Sequence, residues 1–541
     1  MFKNKNYLYG PQDLYLPANL NFGEFILEKL WNYKDKVALI DGLTHKLYKY
    51  GQIAQEATNL AISLAQLGVR KGETVAILSE NRREFFSTLI GSACTGAILT
   101  AINPLYTKDE MNHVMKISKP KYVFCSPLAY KSHEKTLKAN KKIKNIILFG
   151  DQKFDNSLLF NDMAIVNGSN NGITRNVTFD ELQVVEVEGQ TDTFMILYSS
   201  GTTGLPKGVM LTHRNILGTC LCRPIDYSDG VIMSIGPWFH AMGLVGTLCV
   251  FTIGQPMAFL AKFDVESLLK TVEKHKVEML ALVPAAMVAV LKAPAKYDFS
   301  SVRRVIVGAA PAHADTIRDF AAKYPNVTGI VLGYGMTESS LAIARHPFRK
   351  DGRTMSASVG QVLNNTVLKI VDVETRVPLG PNQTGEICFK GPMLMKGYVG
   401  KDRAEDFDDE GFLKTGDVGY YDEQKYIYVV DRLKELIKYK AIQVAPAEIE
   451  ALLLQHEAVR EAGVVGVADK EAGELPMAFI SVQPGKRVTE REIQEFVAQR
   501  LSNPKHLRGG VRFVDEIPKN PTGKILRKAL RSMANSTKSK L

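Results

Sequence analysis

At 541 residues, with 45% hydrophobic and 23% charged side chains, the chain can bury a large core in several domains, which excludes a disordered polymer. Its six cysteines include only one close pair, Cys220 and Cys222, and no C-x-x-C pair, so a disulfide scaffold and a zinc framework are excluded and free thiols in a reducing compartment are expected. The net charge of +11 is concentrated late: residues 503–541 hold ten Lys/Arg against two Asp/Glu, which suits a solvated face, phosphates or a membrane surface, whereas no aromatic-interleaved motif points to nucleic acid.

Residues 1–7 lack an apolar run, so no secretory signal is expected there. From about residue 50 to 335, helical and strand patterns alternate. Helical spacing covers Ala54–Leu67 and Arg83–Leu99; strands are expected at Thr74–Ser79, Lys121–Cys125, Lys144–Phe149, Phe194–Tyr198, Val231–Ile235, Val277–Val283, Val302–Val307 and Gly329–Leu332. This alternation implies parallel sheets covered by helices, with sites at the carboxyl ends of the strands. The apolar run Leu244–Leu260 is interrupted by polar residues and reads as buried core, not as a membrane span. After Gly360, short strands at Val367–Val371, Glu386–Lys390 and Tyr426–Val430 suggest a β subdomain over about 360–430. Asp431-Arg432-Leu433-Lys434 follows as a charged junction. Beyond it, Pro446 opens a helix through Leu454, and Thr489 with Glu492 fits a capping box ahead of an apolar face of Ile493, Phe496, Val497 and Leu501. The fold class read from this is an α/β and α+β chain. It has a large N-terminal domain (1–431) of layered parallel sheets plus the β subdomain, a hinge (432–434) and a small, mobile C-terminal domain (435–541).

The segment Tyr198-Ser199-Ser200-Gly201-Thr202-Thr203-Gly204-Leu205-Pro206-Lys207-Gly208 follows an apolar strand. Its small hydroxyl residues and glycines let backbone N–H groups approach an anion, and Lys207 adds charge. It is not a P-loop, because Pro206 precedes the lysine and Gly208 follows it. Read alone, it is either a phosphate cradle or a flexible polar loop.

This segment resembles the phosphate-binding signature of the adenylate-forming superfamily, which includes acyl-CoA synthetases, 4-coumarate–CoA ligases, beetle luciferases and peptide-synthetase adenylation domains. Further family motifs follow in family order over nearly the whole chain. Gly308-Ala309-Ala310-Pro311 after a strand would let a flat adenine lie on backbone. Gly333-Tyr334-Gly335-Met336-Thr337-Glu338 matches the second nucleotide motif, in which the threonine hydroxyl meets phosphate and the glutamate holds Mg²⁺, a cation that prefers hard oxygen ligands. Thr415-Gly416-Asp417 matches the ribose motif, with Arg432 as a further ribose or phosphate contact. Each of these short motifs also reads, in isolation, as an ordinary turn or cap.

In Pro237-Trp238-Phe239-His240-Ala241-Met242-Gly243-Leu244, the resemblance makes His240 the gate at the carboxylate end of an acyl pocket, although a lone histidine among apolar residues is commonly a packed core residue. Trp238, Met242, Gly243, Leu244, Leu341 and Ile343 are expected around that pocket. In the C-terminal domain, Lys524 of Pro521-Thr522-Gly523-Lys524 matches the adenylation lysine. Lys438 matches the lysine of the thioester step, with Gln443 as a nucleotide contact and Lys440 and Ala441 on the coenzyme A path. The family usually has glycine at the position of Ala441, so a narrowed path is expected.

The resemblance implies an ATP- and Mg²⁺-dependent ligase that adenylates a carboxylic acid and passes the acyl group to coenzyme A, with medium- or long-chain fatty acids favoured by the apolar pocket. A 4-coumarate-type aryl acid ligase and a luciferase-like monooxygenase are alternatives. Beetle luciferases usually have serine where Leu341 stands, which argues against strong light emission. A non-catalytic nucleotide-binding scaffold is the reading from another class, and the retained set of Lys207, Glu338, Asp417, Arg432 and Lys524 speaks against it. The final Ser539-Lys540-Leu541 has the form of a peroxisomal address read by an import receptor, so a peroxisomal location is expected.

Overall fold

A computed structural model describes residues 4–165, 176–199, 205–222, 230–294, 296–309, 314–346, 354–355, 358–440, 442–519 and 523–535. Among these, three sheets and their helices form the large N-terminal part. The first sheet orders its strands as Gly397–Tyr398, Lys207–Thr212, Thr193–Ser199, Ile98–Ile102, Thr74–Leu78, Tyr122–Cys125, Asn145–Leu148 and Leu158–Leu159. From Thr193–Ser199 onward the pairing is parallel; the first two strands join antiparallel. The second sheet centres on the parallel strands Gly329–Tyr334, Arg304–Val307, Val277–Leu282, Val231–Ser234, Met257–Phe259 and Val37–Asp41. Parallel strands need crossovers, and helices supply them, which is why the sequence alternates.

Between these sheets lies the helix Glu84–Cys94, every residue of which is buried. It packs on Tyr50–Gln66, where a β carbon at Gly91 would stand 2.7 Å from the Ala57 carbonyl oxygen. That approach is possible only without a side chain, so the glycine sets the helix spacing. Phe85 and Phe86 meet Trp238 edge-on, at ring-centroid distances of 5.7 and 4.7 Å. The expected helix at Arg83–Leu99 is therefore shorter. It ends at Cys94, the chain turns through Gly96 at φ +70°, and Ile98–Ile102 forms a strand. The Leu244–Leu260 run divides into a buried helix, Ala241–Phe251, and the strand Met257–Phe259.

The third sheet is antiparallel: Tyr7–Tyr9, Val367–Val371, Gly385–Lys390, Leu413–Tyr421 and Ile427–Arg432. Here the charged junction departs from expectation. Asp431 and Arg432 belong to the last strand, with Arg432 in register with Asp417. Leu433 and Leu436 beyond it pack with Val418 and Ala445, so the segment is held by apolar contacts as well as charge.

The C-terminal part has its own core of Ile437, Ile449, Leu453, Val464, Ala478, Ile480, Ile493 and Val497. Its sheet joins Ile442–Val444, Ile437–Tyr439, Gly473–Val482 and Val459–Asp469 antiparallel, with Val511–Phe513 parallel at the side. The Pro446–Leu454 helix and the Thr489 capping box form as the sequence indicates. All six cysteines are buried free thiols. Among the described residues no helix is long and apolar enough to cross a membrane.

Candidate functional site

Two adjoining cavities open at the carboxyl ends of the parallel strands. The larger, about 550 Å³, is lined on one side by Ser199, Lys207, Thr337, Glu338, Tyr398 and Lys524. On the other side it follows His240, Met242, Gly246, Cys249 and Leu341 into an apolar recess. The smaller, about 330 Å³, lies between the N- and C-terminal parts and shares Ala309, Gly333, Tyr334, Gly335, Arg432 and Lys524 with the first.

The hairpin that carries Lys207 fixes its position. Thr193–Ser199 and Lys207–Thr212 pair antiparallel with Lys207 opposite Ser199, so both chain ends of the Gly/Ser/Thr segment are pinned. Ser200, Gly201, Thr202, Thr203 and Gly204 lie outside the described residues, as do Ala310, Ala441 and Ser539–Leu541. The edge strand Gly397–Tyr398 then sets Tyr398 beside Val209. The Lys207 ammonium stands 4.6 Å from the centre of the Tyr398 ring, and the Tyr398 hydroxyl donates to Glu338 Oε1 at 2.7 Å. Burial raises the Tyr398 phenol far above its ordinary range, and the Glu338 carboxylate adds to this, so the hydroxyl keeps its proton and acts as a donor. Tyr398 therefore orients the carboxylate proposed for magnesium. Sequence reasoning missed it because it lies 60 residues from Glu338.

Gly335, between Tyr334 and Met336, answers a packing constraint. A β carbon there would lie 1.8 Å from the Leu341 carbonyl oxygen, so any side chain would force the turn apart. Gly308 and Gly333 have the opposite surroundings: a β carbon on either would meet nothing closer than 3.8 Å. Their bare backbone borders an open slot, as a flat base requires. Ala309 between them is held at φ +69°, a strained conformation for a residue with a side chain.

Asp417 is buried, and its two oxygens are already oriented. Tyr334 donates to Oδ2 at 2.8 Å, and Arg432 Nε lies 3.1 Å from Oδ1. Burial raises the Asp417 carboxyl and Arg432 opposes it. A carboxylate has about four acceptor positions, so two remain for a diol. Lys524 faces the same region from the C-terminal part, on a turn that begins at Gly523 with φ +79°. Its ammonium is pushed down to about 8, first by burial and then by the Arg432 charge. Three residues on, Arg527 anchors this turn to Glu450 of the Pro446–Leu454 helix at 2.7 and 2.9 Å.

His240 lines the larger cavity. Burial pushes its imidazole down to about 4, so it is neutral at physiological pH, and its buried Nε2 has no hydrogen-bond partner among the described residues. Met242 and Leu341 line the recess as expected. Four expected pocket residues do not. Trp238 is buried between Phe85, Phe86 and Phe259, and its backbone N–H donates to Asn81. Gly243 faces the other way, where a β carbon would fall 2.4 Å from the carbonyl oxygens of Gly236 and Pro237. Leu244 and Ile343 are core residues. Lys438, Lys440 and Gln443 also lie away from both cavities. They are exposed, and Lys438 pairs across a short ladder with Gln443.

The chain matches the model of the AMP-binding enzyme family over residues 28–399 and that of the AMP-binding enzyme C-terminal domain over residues 448–524. It is 37% identical to 4-coumarate–CoA ligase 2 of Solanum tuberosum over 540 residues, which cover 96% of this chain and 95% of the relative. It is 36% identical to luciferin 4-monooxygenase of Nipponoluciola cruciata over the full length of both. Among solved structures, the luciferase-like enzyme of the nonluminescent mealworm Zophobas morio superposes with a TM-score of 0.72 at 29% identity, covering 80% of this chain and all of that one.

Proposed function

We infer that this chain, which belongs to the AMP-binding enzyme family of adenylate-forming acid–CoA ligases, is an acyl-CoA synthetase acting on medium- or long-chain fatty acids. The single observation that carries the adenylation half is the convergence of Lys524, Arg432 and the Gly308–Gly333 slot on the cavity that also holds Glu338 and His240, with Asp417 on the adjoining smaller cavity that shares Lys524 and Arg432. Enzymes of this class use ATP, Mg²⁺ and coenzyme A.

The chemistry follows from the leaving group. A carboxylate cannot expel oxide, but once its oxygen has displaced pyrophosphate from the α-phosphate of ATP, the resulting acyl-adenylate can expel AMP. The protein then supplies positioning and charge neutralisation. The Gly308–Gly333 slot holds the base, and Asp417 takes the ribose hydroxyls. Lys524 neutralises the charge that builds between carboxylate and α-phosphate, and Lys207 faces the departing phosphates. His240, neutral and unpartnered at Nε2, orients the carboxylate at the mouth of the recess. The Glu338 carboxylate and Thr337 hydroxyl are hard oxygens on the cavity wall and fit Mg²⁺, which supplies charge neutralisation of the phosphates when bound.

For the second half we propose rotation about 432–434 that exchanges the Lys524 edge for the Lys438 edge, with Lys440 and Ala441 on the coenzyme A path. The exposure of Lys438 while Lys524 lines the cavity supports this reading. The recess lined by Met242, Cys249, Val250, Met257 and Leu341 supports an apolar acid. The similarity to 4-coumarate–CoA ligases favours an aryl acid as the second reading. ATP–pyrophosphate exchange with a panel of fatty and aryl acids, with and without luciferin, decides between them. Highest exchange with fatty acids is expected. Exchange confined to aryl acids overturns the substrate, and no exchange with any acid overturns the enzyme. The Ser539-Lys540-Leu541 sequence supports a peroxisomal location, which imaging of the protein with and without this tripeptide tests.

A further inference from the structure

The surplus of positive charge has two seats, and the structure treats them differently. Residues 111–150 hold nine lysines, no arginine and one acidic residue, Glu134; residues 503–541 hold ten Lys/Arg against two acids. In the C-terminal seat the charges are taken up by the fold. Lys505 pairs with Glu448, Lys519 with Glu461, Arg527 with Glu450 and Arg531 with Glu435, and Lys524 lines the cavity. In the earlier seat, Lys121 and Lys144 share Glu73, and Lys138 meets Glu134 and Asp155. Lys116, Lys119, Lys131, Lys135, Lys141 and Lys142 are exposed and form no ion pair among the described residues.

The helices Lys108–Ser118 and Pro127–Ala139 bring these lysines onto one face. Met111 and Val114 of the first and Ala129 and Leu137 of the second enter a single buried cluster with Leu78 and Val123 of the first sheet. Both helices therefore cover the same side of that sheet, and their outward sides form one surface. On the second helix the exposed positions are 128, 131, 132, 135, 138 and 139, the three-and-four spacing of a single stripe. Lysines hold three of them, and the stripe begins with Leu128, which is 68% exposed. Leu105, 74% exposed, follows Pro104, whose carbonyl oxygen accepts from the His133 ring of the same helix at 2.8 Å. A single exposed leucine is ordinary, but these are the two most exposed leucines among the described residues, and both border the lysine face. Of the acids here, Glu110 is turned back onto the Thr107 N–H and Glu134 is paired with Lys138, which leaves Asp109. The stripe carries no aromatic side chain on which a base could stack. Lysine sets a compact charge on a flexible stem, which suits a fluid array of phosphates.

We propose that the outward face of the helices Lys108–Ser118 and Pro127–Ala139 docks on the headgroup layer of an anionic lipid bilayer. Lys116, Lys131 and Lys135 lie over the lipid phosphates, and Leu128 and Leu105 enter the boundary with the acyl chains. The docking is peripheral and reversible. The face lies outside both cavities, so it does not depend on which acid is activated.

The test is cosedimentation of the full chain with phosphatidylcholine vesicles, with and without phosphatidylserine, at low and at high salt. Binding confined to the anionic vesicles and lost at high salt is expected. The combined variant Lys116→Ala, Lys131→Ala and Lys135→Ala should bind on the order of 100-fold more weakly, at about five-fold per lysine. Leu128→Ser should weaken binding about ten-fold and leave its salt dependence unchanged. Both should keep the wild-type Tm, because the altered side chains are exposed. If the combined variant does not fold, Lys135→Glu, expected to weaken binding about 25-fold, decides in its place. Equal binding to neutral vesicles, no binding to either kind, or a combined variant that binds like wild type overturns the proposal. So does tighter binding to a homopolymeric RNA than to anionic vesicles at matched phosphate, which makes the face a nucleic-acid surface.

Discussion

Two lysines of the C-terminal part sit in opposite environments. Lys524 is drawn into the interdomain cavity, its ammonium pushed down to about 8 and its turn tied to Glu450 through Arg527. Lys438 is exposed on the strand Ile437–Tyr439, opposite Gln443. Under the proposed rotation, the Lys524 edge is the one at work and the Lys438 edge the one in waiting. The lesson is that a residue's role depends on which face its domain turns to the substrate.

The largest expected effect tests that comparison directly. Lys524→Ala should lower pyrophosphate release on the order of 10²–10³-fold, the usual scale for a lost preorganised charge contact, while thioester formation from pre-made acyl-adenylate stays near wild type. Lys438→Ala should do the reverse. Equal loss of both steps in either variant breaks the division. Next, Glu450→Gln leaves the Arg527 charge buried without its anionic partner, which should destabilise the C-terminal part by about 3–5 kcal/mol in denaturant melts. Pyrophosphate release should fall as the Lys524 turn loosens; an unchanged melt counts against the anchoring role.

Tyr398→Phe removes the donor that orients Glu338 and should cost about 1.5–3 kcal/mol, read as a higher magnesium requirement for exchange. A variant with wild-type magnesium dependence would sever Tyr398 from the metal. The smallest effect is in pH. Because only the protonated lysine is a cation, kcat/KM for ATP in the exchange reaction should decline as pH rises through about 8. Lys524→Arg should flatten that limb, since a guanidinium stays charged. The thioester half-reaction should lack it, and a shared limb would blur the distinction between the edges.

Much of this was legible in the sequence because parallel strands and their crossovers write a long local pattern. What failed was non-local. The strand Lys207–Thr212 is absent from the expected strands, although its partner at Phe194–Tyr198 is among them, because the pairing reaches back across the Gly/Ser/Thr segment. Arg432 read as linker because its register with Asp417 spans separate segments. Trp238 stands two residues from His240, yet the chain turns between them and its ring enters the aromatic core. Tyr398 had no local signal, since its role exists only through an edge pairing. The expected pocket walls at Trp238, Gly243, Leu244 and Ile343 differ from the observed ones because side-chain direction is not written in residue type.

The Gly335 turn has a consequence for how such a chain can diversify. With the Leu341 carbonyl occupying the place of any side chain at 335, the backbone between Thr337 and the recess is clamped as one unit. Mutation can exchange what hangs from position 341 without disturbing the clamp. Tolerance for new acids can therefore drift while the activation chemistry a few residues away stays in place.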